Sequence, residues 1–130
     1  MSIALRTAGV HHIALRVTDL ERSKRFYVDT LGFPVVAEFP GLVLFSAGNA
    51  VVGIRGAGET TPTGDAFDPF RVGLDHIALV CEDEAELDRV AARLEDEGIW
   101  STGAKTDEAL GKRYVAFKDP DGIKWEYFMA

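Results

Sequence analysis

Apolar and polar residues alternate from His12 to Val17, with Ile13, Leu15 and Val17 on one side and His12, Ala14 and Arg16 on the other. That period predicts a strand with one face against a core. Helical spacing follows from about Leu20 to Leu31, with Phe26, Tyr27 and Leu31 as apolar anchors and Gly32 as the stop. A short strand is expected near Pro34–Phe39, and strands at Leu42–Ser46 and Ala50–Arg55 flank the hairpin turn Ala47-Gly48-Asn49. The second half repeats the sequence of signals. Ile77, Leu79 and Cys81 alternate with His76, Ala78 and Val80, then Leu87, Val90, Ala91 and Leu94 mark an amphipathic helix that ends at Gly98. A strand near Ile99–Thr102 precedes two more, Arg113–Lys118 and Ile123–Phe128, around Asp119-Pro120-Asp121-Gly122, where Pro presets φ and Gly accepts a positive one.

The two halves are copies of one unit. His12-Ile13-Ala14-Leu15 recurs as His76-Ile77-Ala78-Leu79, and Asp19 falls on Asp83 at the same offset of 64 residues. Each Asp stands where a helix N-cap belongs, after a strand and before the helical stretch. Each half therefore reads β-α-β-β-β: module one at about 8–56, module two at about 74–130, and between them 57–73, rich in Gly, Pro, Thr and Asp, as a linker. The whole chain, 1–130, is expected to be a single α+β domain, because 130 residues suit one ordinary core or two small modules that share one.

Charge excludes some functions. The formal net charge is −7, so nucleic acid and anionic membrane surfaces are not expected partners. The acidity is local: eight acids between Glu82 and Glu97 face only Arg89 and Arg93, which is the solvated side of the second helix. No apolar run reaches the roughly 18 residues a membrane span needs. With no basic-then-apolar leader at Met1–Arg6, a soluble, cytoplasmic protein is expected. Cys81 is the only cysteine, so it forms no internal disulfide and no zinc cluster, and its inward parity makes it a core thiol.

Face parity selects the candidate chemistry. In the last strand Trp125 and Tyr127 suit the helix side, which leaves Lys124, Glu126 and Phe128 on the face of the two histidines. Two neutral imidazoles and one carboxylate are the donor set of a facial triad, which leaves coordination positions open for substrate. Each residue also has a plainer reading: a lone strand histidine is commonly a solvated polar group, and Glu126 could be an edge charge. His11 is adjacent to His12 and so on the opposite face; the repeat selects His12, because Asp75 rather than a histidine precedes His76. Further candidates for the same face are Tyr114, as a proton or hydrogen-bond donor, and Arg55, as an anchor for an anionic group. Phe45, Phe67 and Phe70 are candidate apolar walls, and Lys105–Lys112 a candidate lid.

Four phrases in order, from His12-Ile-Ala-Leu-Arg-Val-Thr-Asp through Leu31-Gly32-Phe33 and Asp75-His76-Ile77-Ala78-Leu79 to Phe117-Lys-Asp-Pro-Asp-Gly-Ile-Lys-Trp-Glu126, resemble the vicinal oxygen chelate superfamily. This is the glyoxalase, bleomycin-resistance and extradiol-dioxygenase group, and the resemblance covers about Val10 to Phe128. It implies two tandem βαβββ modules whose mixed sheets curl into a cup, helices on the outer face, and one divalent metal ion at the bottom. His12, His76 and Glu126 stand where the family places its ligands. The resemblance also implies a homodimer with shared sites, in which His12 of one chain would meet His76 and Glu126 of another; pairing within one chain is the alternative. Fe, Mn, Zn, Ni and Co all suit such donors.

The departures from the family pattern narrow the activity. The fourth ligand of glyoxalase I proper falls at Gly53, and no acid lies between Gly41 and Gly58. Extradiol dioxygenases carry an extra histidine behind the ligands and a tyrosine that aligns with Ala116. Fosfomycin-resistance thiol transferases have a threonine where this chain has Ala14, and an arginine beyond its end. The expected function is a metal-dependent enzyme on a small oxygen-rich substrate chelated through vicinal oxygens, of lyase, isomerase or dioxygenase type, with Glu126 and Tyr114 as its catalytic groups. The alternative is a non-catalytic bleomycin-resistance-like protein that sequesters a small molecule.

Overall fold

The computed structural model describes residues 1–130 and divides them into two compact units, Met1–Thr61 and Pro62–Ala130. The first contains β1 (His12–Arg16), α1 (Leu20–Lys24) running on as a π-helical segment (Arg25–Thr30), β2 (Val35–Phe39), β3 (Leu42–Ala47) and β4 (Ala50–Arg55). The second contains β5 (Ile77–Cys81), α2 (Glu84–Asp96), β6 (Ser101–Thr106), β7 (Arg113–Lys118) and β8 (Lys124–Met129). Both sheets are four-stranded, in the orders β1-β4-β3-β2 and β5-β8-β7-β6, so the repeat seen in sequence is a repeat of topology. In each, the first strand runs parallel to the last and the other pairs are antiparallel. The expected α+β class holds.

The two N-caps are built alike. Asp19 Oδ1 accepts from the Arg22 N–H at 3.0 Å, and Asp83 Oδ1 accepts from the Ala85 N–H at 2.8 Å, each satisfying a donor the first turn leaves open. The helices then differ. The first was expected to be α-helical to Leu31, but after Lys24 it widens, and the Leu31 N–H donates to the Phe26 carbonyl five residues back at 2.9 Å. Phe26 and Tyr27, neighbours in sequence, are both buried there, whereas α2 buries Leu87 and Leu94 at ordinary helical spacing. The Gly98 N–H bonds the Glu95 carbonyl with φ at +68°, the stop expected at that residue.

One expected site residue is a core residue. Phe45 is 0% exposed and stacks with Tyr27 on one centroid distance of 5.0 Å and with Phe33 on another of 5.3 Å. The register explains it: Phe45 lies opposite Val52, while Leu44 lies opposite Gly53. Leu44, not Phe45, therefore belongs to the face away from the helix. Phe45 is no wall of a site; it joins Val17, Val52 and Ile54 in the first core, as Leu87, Val115 and Trp125 fill the second.

Two segments expected to be loose are tied. The unit boundary after Thr61 splits the expected linker, and the Phe67 N–H donates to the Asp121 carbonyl at 2.9 Å, so 62–73 folds with the second unit. In place of a lid, Lys105 and Thr106 finish β6, and the Asp107 N–H bonds the Lys112 carbonyl at 2.8 Å to close a hairpin turn. The edge strand β6 starts at Ser101, later than expected, with a register irregularity between Ser101 and Ala104. No helix is long and apolar enough to cross a membrane.

The Asp119–Gly122 turn is held from inside. Buried Asp119 Oδ1 accepts from the Asp121 N–H at 2.9 Å and the Ile123 N–H at 2.7 Å. Asp119→Ala strands both donors and is expected to destabilise the protein by about 2–3 kcal/mol, read as a lower urea midpoint at unchanged slope.

Candidate functional site

The strongest cluster lies on the face of the second sheet opposite α2. Glu126 sits mid-strand on β8, between Ala78 of β5 and Ala116 of β7. Both neighbours are alanines, so nothing bulky stands beside the carboxylate on its own sheet. Glu126 is only 8% exposed. Its Oε1 lies 3.3 Å from His76 Nε2, and its Oε2 lies 3.6 Å from Lys124 Nζ. On the other side of the ring, His76 Nδ1 donates to Asp75 Oδ1 at 2.6 Å. That bond holds the exposed Asp75 carboxyl below the usual carboxylate range.

A cavity of about 270 Å³ opens at this pair, lined by His76 just before β5, Ala78 and Val80 from β5, Glu126 and Phe128 from β8, and Leu110 from the β6–β7 turn. Tyr114 shares the face: it lies opposite Phe128 in the β7–β8 register and stacks on it at 5.5 Å. Tyr127 points the other way, toward the core, where burial and then its bond with Cys81 push its phenol up to about 12. Cys81 is fully buried and its Sγ donates to the Asp83 carbonyl at 3.2 Å, an inert thiol as parity suggested.

The first unit carries the same frame with different chemistry. Gly53 takes the place of Glu126, between Ala14 of β1 and Leu44 of β3. A Cβ there would stand 3.0 Å from Leu44 Cδ2 and 3.4 Å from Leu42 Cδ1, so leucine side chains overhang the position. His12 opens β1 and is exposed, its Nδ1 2.9 Å from His11 Nδ1. Arg55, also exposed, ends β4 opposite Arg16. Phe67 is half-buried against the turn that holds Asp121, and Phe70 is 96% exposed.

Of the expected ligands, then, His76 and Glu126 are in contact. No three His, Cys, Asp or Glu side chains of one chain are gathered around a common point. The pair fits a metal's donor set: two donors each about 2.0–2.2 Å from a shared ion stand about 3–3.5 Å apart, and the observed separation is 3.3 Å. Sequence reasoning put Lys124 on this face and Leu110 within the candidate lid, but it gave no role to Asp75 and none to His11, whose Nδ1 meets that of His12. The signal for Asp75 and His11 was in the repeat, since both precede a face histidine at the same offset.

A family model described as the Glyoxalase/Bleomycin resistance protein/Dioxygenase superfamily matches residues 9–127. A Bacillus subtilis (strain 168) protein, the uncharacterized YwkD, is 32% identical over 127 residues, covering 92% of this chain and 95% of that one. A trivalent organoarsenical cleaving enzyme of Thermomonospora curvata is 32% identical over 123 residues, covering 90% and 74%. Among solved structures, a glyoxylase/bleomycin resistance protein/dioxygenase domain from Frankia sp. EAN1pec superposes with a TM-score of 0.80 at 26% identity, over 96% of this chain and 99% of that chain.

Proposed function

Because the chain belongs to the glyoxalase/bleomycin resistance protein/dioxygenase superfamily, we propose that it is a divalent-metal-dependent enzyme acting on a small oxygen-rich molecule. His12, His76 and Glu126 would hold the ion. The observation that carries this reading is the buried Glu126 carboxylate with His76 Nε2 at 3.3 Å, on an open face flanked by alanines. A carboxylate kept from water beside an imidazole needs a positive partner, and Lys124 at 3.6 Å serves only one of its oxygens. When bound, a divalent ion supplies Lewis acidity toward two vicinal substrate oxygens. The protein's part is to bind and orient. Ala78 and Ala116 leave space over the carboxylate, and Leu110, Val80 and Phe128 give the cavity apolar sides. The Tyr114 phenol, fixed by its stack on Phe128, is placed to donate a hydrogen bond to a substrate oxygen. Arg55 suits a carboxylate or phosphate on the substrate, and Phe67 and Phe70 offer apolar contacts. The Gly53 position argues against the four-ligand set of glyoxalase I proper.

The third ligand would come from pairing the first unit of one chain with the second unit of another, giving two equal sites in a homodimer. This accords with exposed apolar residues such as Val36, Phe39, Val80 and Trp100.

Protein purified without chelator is expected to contain about one ion per chain by elemental analysis, with His12→Ala and His76→Ala each losing it. Mixing those two variants tests the sharing. Exchange of subunits restores one intact site per heterodimer if ligands come from two chains, and none if they come from one. Metal content near zero that does not rise on adding Fe, Mn, Zn, Co or Ni would refute the enzyme reading in favour of a sequestering binder.

A further inference from the structure

The residue before each face histidine does the same thing in both repeats. His76 Nδ1 meets Asp75 Oδ1 at 2.6 Å, and His12 Nδ1 meets His11 Nδ1 at 2.9 Å. His11 and Asp75 occupy equivalent places, as do His12 and His76, at the offset of 64 residues. The rings of His11 and His12 stand edge to face, 84° apart, with centroids at 5.1 Å, so the contact is directional rather than a stack. His11 reaches its neighbour despite the alternation of strand side chains because β1 begins only at His12.

We propose that His11 and Asp75 are positioning residues: each engages the Nδ1 of the histidine that follows and so presents that ring's Nε2 as the free nitrogen. The inference rests on the metal reading for its purpose, though not for its geometry. A neutral imidazole has one N–H and one lone pair, so the partner of one nitrogen decides what the other can do. Ionised Asp75 only accepts. It therefore draws the proton of His76 to Nδ1, in competition with Glu126 Oε1 at Nε2, and its contact is the shorter of the two, 2.6 against 3.3 Å. His11 is ambivalent. When its Nδ1 accepts, His12 presents a bare Nε2; when its Nδ1 donates, His12 carries its proton on Nε2 and is no ligand there. Asp75 thus favours the competent tautomer, whereas His11 merely allows it. The two repeats differ in pre-organisation, and the first is the weaker.

The test uses the full chain in two measurements. Long-range ¹H–¹⁵N spectra of the imidazoles, recorded without metal as the pH is raised until the cationic signals disappear, should show His76 in the Nδ1–H form. Asp75→Ala should move it toward Nε2–H, and Asp75→Asn, whose carbonyl still accepts, should largely restore it. His11→Asp should raise the Nδ1–H share of His12. Cobalt(II) titration against a competing chelator should then show tighter binding in His11→Asp, binding weaker by roughly 10- to 100-fold in Asp75→Ala, and a smaller loss in His11→Ala. All these side chains are exposed, so thermal unfolding of the metal-free variants should match the wild type. Tautomers that ignore Asp75→Ala and His11→Asp overturn the proposal. So do shifted tautomers with unchanged cobalt affinity. If the wild type takes up no cobalt, the metal reading falls by itself, and the spectra still decide whether the two residues set the tautomers.

Discussion

Glu126→Gln is expected to lower metal affinity by more than the roughly 10- to 100-fold typical of losing an outer hydrogen-bond partner, while leaving the metal-free fold nearly as stable. Glutamine keeps the shape that fits between Ala78 and Ala116, and its amide can still meet His76 Nε2. What it lacks is the charge. The one cation already near, Lys124, is 3.6 Å away and partly solvated, so losing that pairing changes stability by about 1 kcal/mol or less. A ligand and a purely structural carboxylate thus give opposite patterns. Chelator competition reads the affinity and urea unfolding of the metal-free protein reads the fold. A variant that binds metal like the wild type but unfolds more easily would remove Glu126 from the site.

Phe45→Ala is expected to cost about 3–5 kcal/mol of stability with metal affinity unchanged. The ring lies between Tyr27 and Phe33 in a core with no exposed side, so its removal leaves a cavity and breaks two stacks. Leu44→Ala, on the neighbouring position but the opposite face, is expected to cost less, since its side chain is half-buried over Gly53. The pair of variants tests the strand register directly. A small loss at Phe45 with a large one at Leu44 would mean that the faces of β3 are reversed.

These two positions show where sequence reading succeeds and where it stops. Glu126 was reached by counting: the parity of β8, tied to the repeat of His12 and His76, put it on the right face. Phe45 was assigned by residue type, an aromatic near a supposed cup, when counting from Gly53 through the Gly48-Asn49 turn would have selected Leu44. Parity works inside a strand because side-chain alternation is a property of the extended backbone. It does not extend to His11, which precedes the first residue of β1 and meets His12 through Nδ1. It is silent on segments without a period, such as 62–73 and the β6–β7 turn, both of which backbone bonds tie.

The α-to-π change after Lys24 belongs to the same class. Periodicity marked Phe26 and Tyr27 as anchors, but burying two adjacent aromatics against one sheet depends on the space the sheet offers, which no local signal encodes.

The amino-acid sequence by itself determined what local chemistry and repetition can express: two βαβββ units, their caps, their turns, and the face of β8 on which Glu126 lies. Tertiary structure decided what depends on distance between strands. It brought His76 Nε2 to Glu126, seated that carboxylate between two alanines, placed Asp75 and His11 on the Nδ1 atoms of their neighbours, and closed leucines over Gly53. The reason is physical: alternation and capping act over a few residues of backbone, whereas ligand geometry is set by register between strands tens of residues apart.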